Sequence, residues 1–260
     1  MPKAVVPSVL KAARVLDEIA ASRDALSLGE IAARLGLPKS STLSLCTSLT
    51  LCGLLQRFDN GSYHLGTHLV DLAHAYLART DLTQEFGRAW DSLHIMPEES
   101  AVLAVMDGSN VVYVACRNGS QAFALTYRIG MRLPAHSTAT GKALLSTMSD
   151  ERIRQLYQGR KLERLTPKTL TSVESLLANL AVARQQDFAV DDEETRAGMC
   201  CYGAPVFDAS GHQAVAAVAL SMMKSSSTPS SADRVSLAAR TVHELAKLMS
   251  RRLGMIPGAK

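Results

Sequence analysis

Leu37-Pro38-Lys39-Ser40-Ser41-Thr42-Leu43-Ser44-Leu45-Cys46-Thr47-Ser48-Leu49-Thr50-Leu51-Cys52-Gly53 is the stretch on which the architecture turns. Proline is well tolerated at the first position of a helix and glycine is common just past its last, so Pro38 and Gly53 bracket a helix. Sorted at 3.6 residues per turn, Thr42, Leu45, Cys46, Leu49 and Cys52 share one stripe, which predicts an inward face. The opposite side carries Ser40, Ser41, Ser44, Thr47 and Ser48, with Lys39 near its start, and no acid occurs between Leu35 and Arg57. An ordinary solvated face carries Glu and Lys at i,i+4 spacing. Short hydroxyls without carboxylates, led by the free amides of a helix start, suit close approach to phosphates and base edges.

Upstream, Ser8 to Ala21 has a helical period in Val9, Ala13, Leu16 and Ala20. Ser27-Leu28-Gly29-Glu30 then reads as a capping box, opening a helix through Ile31, Ala32 and Leu35 that stops at Gly36, a left-handed cap. Downstream, Leu54–Phe58 and Tyr63–Leu65 are strand-like runs around Asn60-Gly61, a strong hairpin signal. Three helices followed by a hairpin make a winged helix-turn-helix, with the third helix entering the major groove and the wing near the backbone. The candidate contacts to double-stranded DNA are Lys39, Ser40, Ser41, Ser44, Thr47 and Ser48 on the helix, with Arg57 and Asn60 on the wing.

Charge permits this reading without establishing it. The 260 residues carry 28 Lys and Arg against 24 Asp and Glu, a net +4 that is spread along the chain and not gathered in an arm. Residues that are 47% hydrophobic exclude disorder. The longest uncharged apolar run, Ala214 to Met223, is about half of what a membrane-spanning helix needs. The opening residues show no apolar core ahead of a cleavage site, so the expected location is the cytoplasm, with no membrane partner. Five cysteines without a C-x-x-C pair argue against zinc ribbons and disulfide frameworks, leaving buried thiols. No metal or cofactor is expected.

Thr67–Arg79 and Thr83–Leu93 are helical by pattern, with a break at Thr80-Asp81-Leu82. The first follows the wing with no Gly/Ser-rich linker, and a stiff connector transmits geometry better than a coil. From Ser100 the period changes to that of strands. Ala101–Met106 and Val111–Arg117 form a hairpin across Asp107–Asn110, Phe123–Arg128 alternates as a further strand, and Met199–Phe207 and Gln213–Met222 form a second hairpin. Thr138–Thr147 and Glu174–Gln185 read as helices. After a serine-rich loop comes a final amphipathic helix with Val235, Ala238, Val242, Leu245 and Met249 inward. The fold class is therefore α+β. A helix starting near Thr138 offers free amides to a carboxylate, which suggests a small organic acid as ligand.

Leu37–Ser41, Tyr63-His64-Leu65-Gly66, Gly130–Lys142, Asp191–Glu194 and Cys201-Tyr202-Gly203-Ala204-Pro205-Val206-Phe207-Asp208 together resemble the IclR family of bacterial transcriptional regulators, from about Ser8 to Leu253. The resemblance implies a winged helix-turn-helix over 1–66, a linker helix over 67–82 that shares in a dimer interface, and a GAF-like antiparallel-sheet effector domain over 83–260. It implies a homodimer or homotetramer on a pseudopalindromic operator, modulated by a small organic acid. It places the effector pocket at Leu133, Ala139, Thr140, Asp191, Met199, Cys201, Ala219 and Ser221, with Ala122 and Leu125 beside them. Three residues depart from the family pattern. Ser44 stands where an arginine is common on the recognition helix, Asp187 replaces a glycine, and Tyr202 replaces a smaller aliphatic at the expected pocket floor.

The competing reading is a thiol enzyme or redox sensor built on Cys200-Cys201. Adjacent cysteines bridge only with strain, only Arg196 is near enough in sequence to depress a thiol pKa, and no paired acid and base appear at sensible positions. No catalytic residue is assigned. His136 reads as a structural histidine rather than a metal ligand, and Lys142 lies outside any phosphate-loop motif because Ala143 stands where Ser or Thr is required and the first glycine is missing.

Overall fold

A computed structural model describes residues 6–78, 82–93, 96, 98–119, 127–211, 214–224 and 231–255. The chain divides into two compact units, Met1–Arg79 and Thr80–Lys260.

In the first unit, α1 (Pro7–Ala21) is followed by the two-residue strand β1 (Leu26–Ser27), α2 (Leu28–Leu35), α3 (Lys39–Leu51), β2 (Leu55–Arg57), β3 (Ser62–Leu65) and α4 (His68–Ala78). The capping box forms: Ser27 Oγ accepts from the Glu30 amide while the Glu30 carboxylate accepts from Ser27 N at 2.8 Å. Gly36 closes α2 at φ +64°, a conformation that costs a side chain and not glycine. The antiparallel sheet has the order β1-β3-β2, and β1 is a strand that the sequence pattern did not announce. Val15, Ile19, Ile31, Leu35, Cys46, Leu49, Leu55 and Tyr63 share one core.

Helix α1 forms as expected, with Val15 and Ile19 buried and Leu16 packed against their core, while Val9, Ala13 and Ala20 of its period are exposed. Two expectations are corrected here. Pro38 is the N-cap of α3 with an extended ψ of 140°, and the helix proper begins at Lys39. Cys52 is exposed, because α3 has already ended and its amide only caps Ser48 O at 3.0 Å.

The second unit contains α5 (Leu82–Leu93), β4 (Ser100–Asp107), β5 (Asn110–Arg117), β6 (Arg132–Pro134), α6 (Ala139–Ser146), α7 (Asp150–Tyr157), α8 (Val173–Gln186), β7 (Ala189–Asp192), β8 (Met199–Phe207), β9 (Ala214–Met223) and α9 (Ser231–Arg252). Among the described residues its strands make one antiparallel sheet of order β6-β5-β4-β9-β8-β7. Side chains alternate across a sheet. Val102, Tyr113, Cys201, Ala217 and Ala219 join the core with Leu144, Leu176 and Leu180 from α6 and α8. The intervening Tyr202, Ala204, Val218 and Leu220 are equally buried but lie outside that core, and α9, which packs on β8 and β9, buries Ala238, Val242, Leu245 and Met249.

The expected final helix is present, but Val235 is 42% exposed and not inward. Strands β6 and β7 and helix α7 were not foreseen. The expected strand at Phe123–Arg128 lies mostly outside the described residues, and Tyr127 and Arg128 are not extended in a ladder. No helix among the described residues is long and apolar enough to cross a membrane.

Candidate functional site

Helix α3 presents the outward face foreseen for it. Lys39, Ser40, Ser41, Ser44, Thr47 and Ser48 are all exposed, over Thr42, Cys46 and Leu49 beneath. No side chain caps its N-terminus, so its first amides are open to an anion. Ser44 Oγ donates to Ser40 O at 3.1 Å and Ser48 Oγ to Ser44 O at 2.9 Å. With the hydroxyl protons directed back onto the helix, both serines offer lone pairs outward. Leu43 and Leu51, 44% and 85% exposed, share this surface. Sequence sorting had not included them, although their place in the helical period was the available signal.

On the wing, Arg57 and Asn60 are exposed but already engaged. The Arg57 guanidinium lies 5.8 Å from the Tyr63 ring centroid. The Asn60 carboxamide oxygen accepts from Ser62 N at 3.0 Å and Ser62 Oγ at 2.6 Å, and Gly61 N donates to Phe58 O at 2.9 Å. Only the NH2 of Asn60 is left by this turn for an external acceptor.

In the second unit, a cavity of about 220 Å³ opens between the sheet and the start of α6. Leu133, Ala139, Thr140, Asp191, Met199, Cys201, Ala219 and Ser221 all line it. Ala122 and Leu125 lie outside the described residues. The wall also includes Val102, Tyr113, Tyr127, Thr195 and Arg196, which sequence reasoning missed. Of these, Tyr113 was signalled by the period of β5, and Thr195 and Arg196 only by closeness to Asp191. Tyr202, expected on the floor, does not line the cavity. It is one residue from Cys201 on a strand and so faces the other way, 6.2 Å from the Phe188 ring.

Local chemistry holds this cavity open. Thr138 caps α6 by accepting from Gly141 N at 3.0 Å, and Lys142 N donates to Thr138 O at 2.9 Å. Among the described residues, the amides of Ala139 and Thr140 are left without a hydrogen-bond acceptor by this cap. A Cβ at Gly203 would overlap the Ala139 carbonyl, so glycine there lets β8 approach the helix start. Tyr127 Oη and Ser221 Oγ are 2.6 Å apart across the cavity wall. Asp191 Oδ1 accepts from Glu194 N at 2.7 Å and Thr195 N at 3.2 Å. Burial raises the Asp191 carboxyl above the ordinary carboxylate range despite those hydrogen bonds. Among the described residues, the Thr140 hydroxyl has no partner within normal hydrogen-bond distance although the residue is only 1% exposed, and the Tyr113 hydroxyl is the polar side-chain group beside it. The loop beyond Asp191 is held by Lys168 and Lys224, each of which reaches both Asp192 and Glu193. These lysines pull the Glu193 carboxyl down to about 2.

The same geometry gives the thiol reading no support. Burial raises both the Cys200 and Cys201 thiols, the nearby Asp191 raises Cys201 further, and the two are held protonated rather than activated. His136 is buried, with Nε2 3.0 Å from Glu163 O and its ring edge-on to Tyr157, and burial lowers its pKa. Lys142 is wholly buried and paired with Glu194. No group of three or more potential metal ligands occurs among the described residues.

Comparison with known proteins gives this architecture its place. Residues 8–58 match the IclR helix-turn-helix domain, and residues 74–251 match the bacterial transcriptional regulator IclR C-terminal domain. The transcriptional regulator XynR of Escherichia coli is 33% identical over 223 residues, covering 85% of this chain and 88% of the relative. The Agobacterium tumefaciens repressor BlcR is 33% identical with a TM-score of 0.62, over 97% of this chain and 99% of that one. The Thermotoga maritima IclR structure is 27% identical with a TM-score of 0.75, over 95% and 99%. Two matched domains that together span most of the chain, in the order of a DNA-reading unit and a cavity-bearing sheet, show that it belongs to the IclR family of transcriptional regulators.

Proposed function

We propose that this chain binds a pseudopalindromic operator as a dimer or tetramer, and that a small organic acid in the α6 cavity sets how well it binds. Membership of the family makes it a ligand-responsive regulator and not an enzyme. The unpartnered Thr140 hydroxyl carries the effector reading. It sits beside the open amides of Ala139 and Thr140 at a positive helix end, in a cavity smaller than the roughly 300–1,000 Å³ of drug-sized sites. A compact carboxylate supplies what those donors lack, while Val102, Met199 and Ala219 face its apolar body. Screening short aliphatic and aromatic monocarboxylates by thermal shift is expected to find stabilising members. Thr140→Val keeps the shape and removes one donor to a charged group, so affinity measured by calorimetry falls about tenfold or more. A panel that stabilises nothing, or a variant that binds as tightly, defeats the reading.

An exposed apolar series in the first unit supports self-association: Val6, Val9 and Leu10 at the start of α1, and Val70 and Leu72 on α4. A two-fold pair of α3 helices then meets half-sites about one helical turn apart.

The outward face of α3 also limits which bases it reads. It carries no Arg, Asn or Gln, and its one lysine, Lys39, stands at the helix start beside the uncapped amides that suit a phosphate, so no side chain further along the face is a bidentate partner of guanine or adenine. Its lone pairs face donors such as cytosine N4 and adenine N6, and its Leu43, Thr47 and Leu51 methyls face thymine methyls. With a duplex selected from a random pool, uracil in place of thymine is expected to weaken binding by about fourfold per lost methyl contact. Substituting 7-deazaguanine is expected to leave it nearly unchanged. The reverse ranking would show that guanine is read directly.

A further inference from the structure

We propose that the effector domain carries a second ligand site, distinct from the α6 cavity, for a monoanion with an apolar body. A cavity of about 440 Å³ lies where β8 runs past the end of β7. Strand β7 pairs with β8 only as far as Ala189 opposite Gly203, so Ala204–Phe207 have no neighbouring strand on that side among the described residues. Pro205 brings no N–H to this open edge, and Phe207 N is satisfied by Ser250 Oγ at 3.0 Å. The floor is thereby apolar, with Ala204, Pro205 and Phe207 backed by Ala246 and Met255.

One side of this cavity is cationic. His243, Lys247 and Arg251 line it at four-residue steps, which is one row along α9. Among the described residues none of the three has a carboxylate within ion-pair distance, whereas Lys142, Lys168, Lys224, Arg234 and Arg252 are all paired. Arg184, also in the wall, is spent on Ser146 O, Met148 O and Asp150 and shapes the cavity instead of serving a ligand. Among the described residues the single acid at the cavity is Asp187, in a left-handed conformation at the end of α8 (φ +61°). Two fixed cations and a histidine against one carboxylate suit a single negative charge. The apolar floor takes the rest of the molecule.

The two cavities share no lining residue. The α6 cavity meets that helix at Ala139 and Thr140, the second at Ser146, roughly 10 Å further along at 1.5 Å per residue. The test uses the full chain and 1-anilinonaphthalene-8-sulfonate, an aromatic monoanion whose fluorescence reports binding, with decanoate and decanol as competitors. Expected are one saturable site per chain, displacement by decanoate but not by decanol, and at least tenfold weaker binding in Lys247→Glu/Arg251→Glu. Both substituted residues are exposed, and an unchanged unfolding midpoint confirms that the fold is kept. Thr140→Val is expected to leave probe affinity within twofold. Absence of saturable binding, indifference to the charge reversal, equal displacement by decanol, or a loss in Thr140→Val as large as in the reversal would each overturn the proposal.

Discussion

Lys142→Met is expected to destabilise the effector domain by about 3–5 kcal/mol, the range for removing one partner of a buried ion pair. Lys142 is wholly buried in α6, with its ammonium on Glu194, and the second carboxylate oxygen of Glu194 has no partner among the described residues. Burial raises the Glu194 pKa, and Lys142 is the chief influence opposing that rise. Without the ammonium, Glu194 at neutral pH is a buried charge with only the Leu170 backbone left to favour it. A carboxyl whose folded pKa lies above its unfolded value costs nothing below the unfolded pKa, and its cost grows as pH rises through the folded one. The variant therefore lies closer to wild type at pH 5 than at pH 8. Urea unfolding at the two pH values measures this. Pairing the change with Glu194→Leu removes the stranded charge and is expected to recover most of the loss. A single variant losing under 1 kcal/mol at pH 8 would show that the pair is solvated.

How much of this was legible in the sequence follows from what each signal depends on. Helix α3 and its outward face could be read because proline and glycine bracket it and its hydroxyls and aliphatics segregate at 3.6 residues per turn. Helix α1 could be read as a helix but not by its buried face: steps of three and four pass through Val9, Ala13, Leu16 and Ala20 as well as through Val15 and Ile19, and only packing on Ile31 and Tyr63 chooses. Strand β7 reads Ala-Val-Asp-Asp at a sheet edge, a composition that resembles a loop until β8 pairs with it. Helix α7 is highly polar and buries only Ile153 and Tyr157, too few to show a period. Eight cavity positions followed from the family resemblance and not from periodicity. Tyr127 escaped because it reaches the cavity from outside any regular element, and Tyr202 was misplaced because a strand reverses its face at every residue.

Ser41→Glu is expected to weaken operator binding at least 100-fold while leaving effector binding unchanged. The position separates folding from recognition because the two respond with opposite sign. Ser41 lies in the first turn of α3, where the helix dipole and uncapped amides favour an acid by roughly 0.3–1 kcal/mol, so the domain should unfold no more easily than wild type. The same carboxylate stands on a face that meets phosphates and base edges. There it occupies the anion site at the helix start and repels the duplex. Coulomb repulsion is screened by salt, so the deficit should be larger at 50 mM than at 200 mM, and the dependence of log affinity on log salt should become shallower. Titration of a labelled duplex by fluorescence anisotropy, beside a thermal melt and an effector titration of the same variant, separates the cases. An intact melt with operator affinity within threefold of wild type would place the DNA-reading surface elsewhere on the chain. A lowered melt would mean that Ser41 packs inward, against its observed exposure.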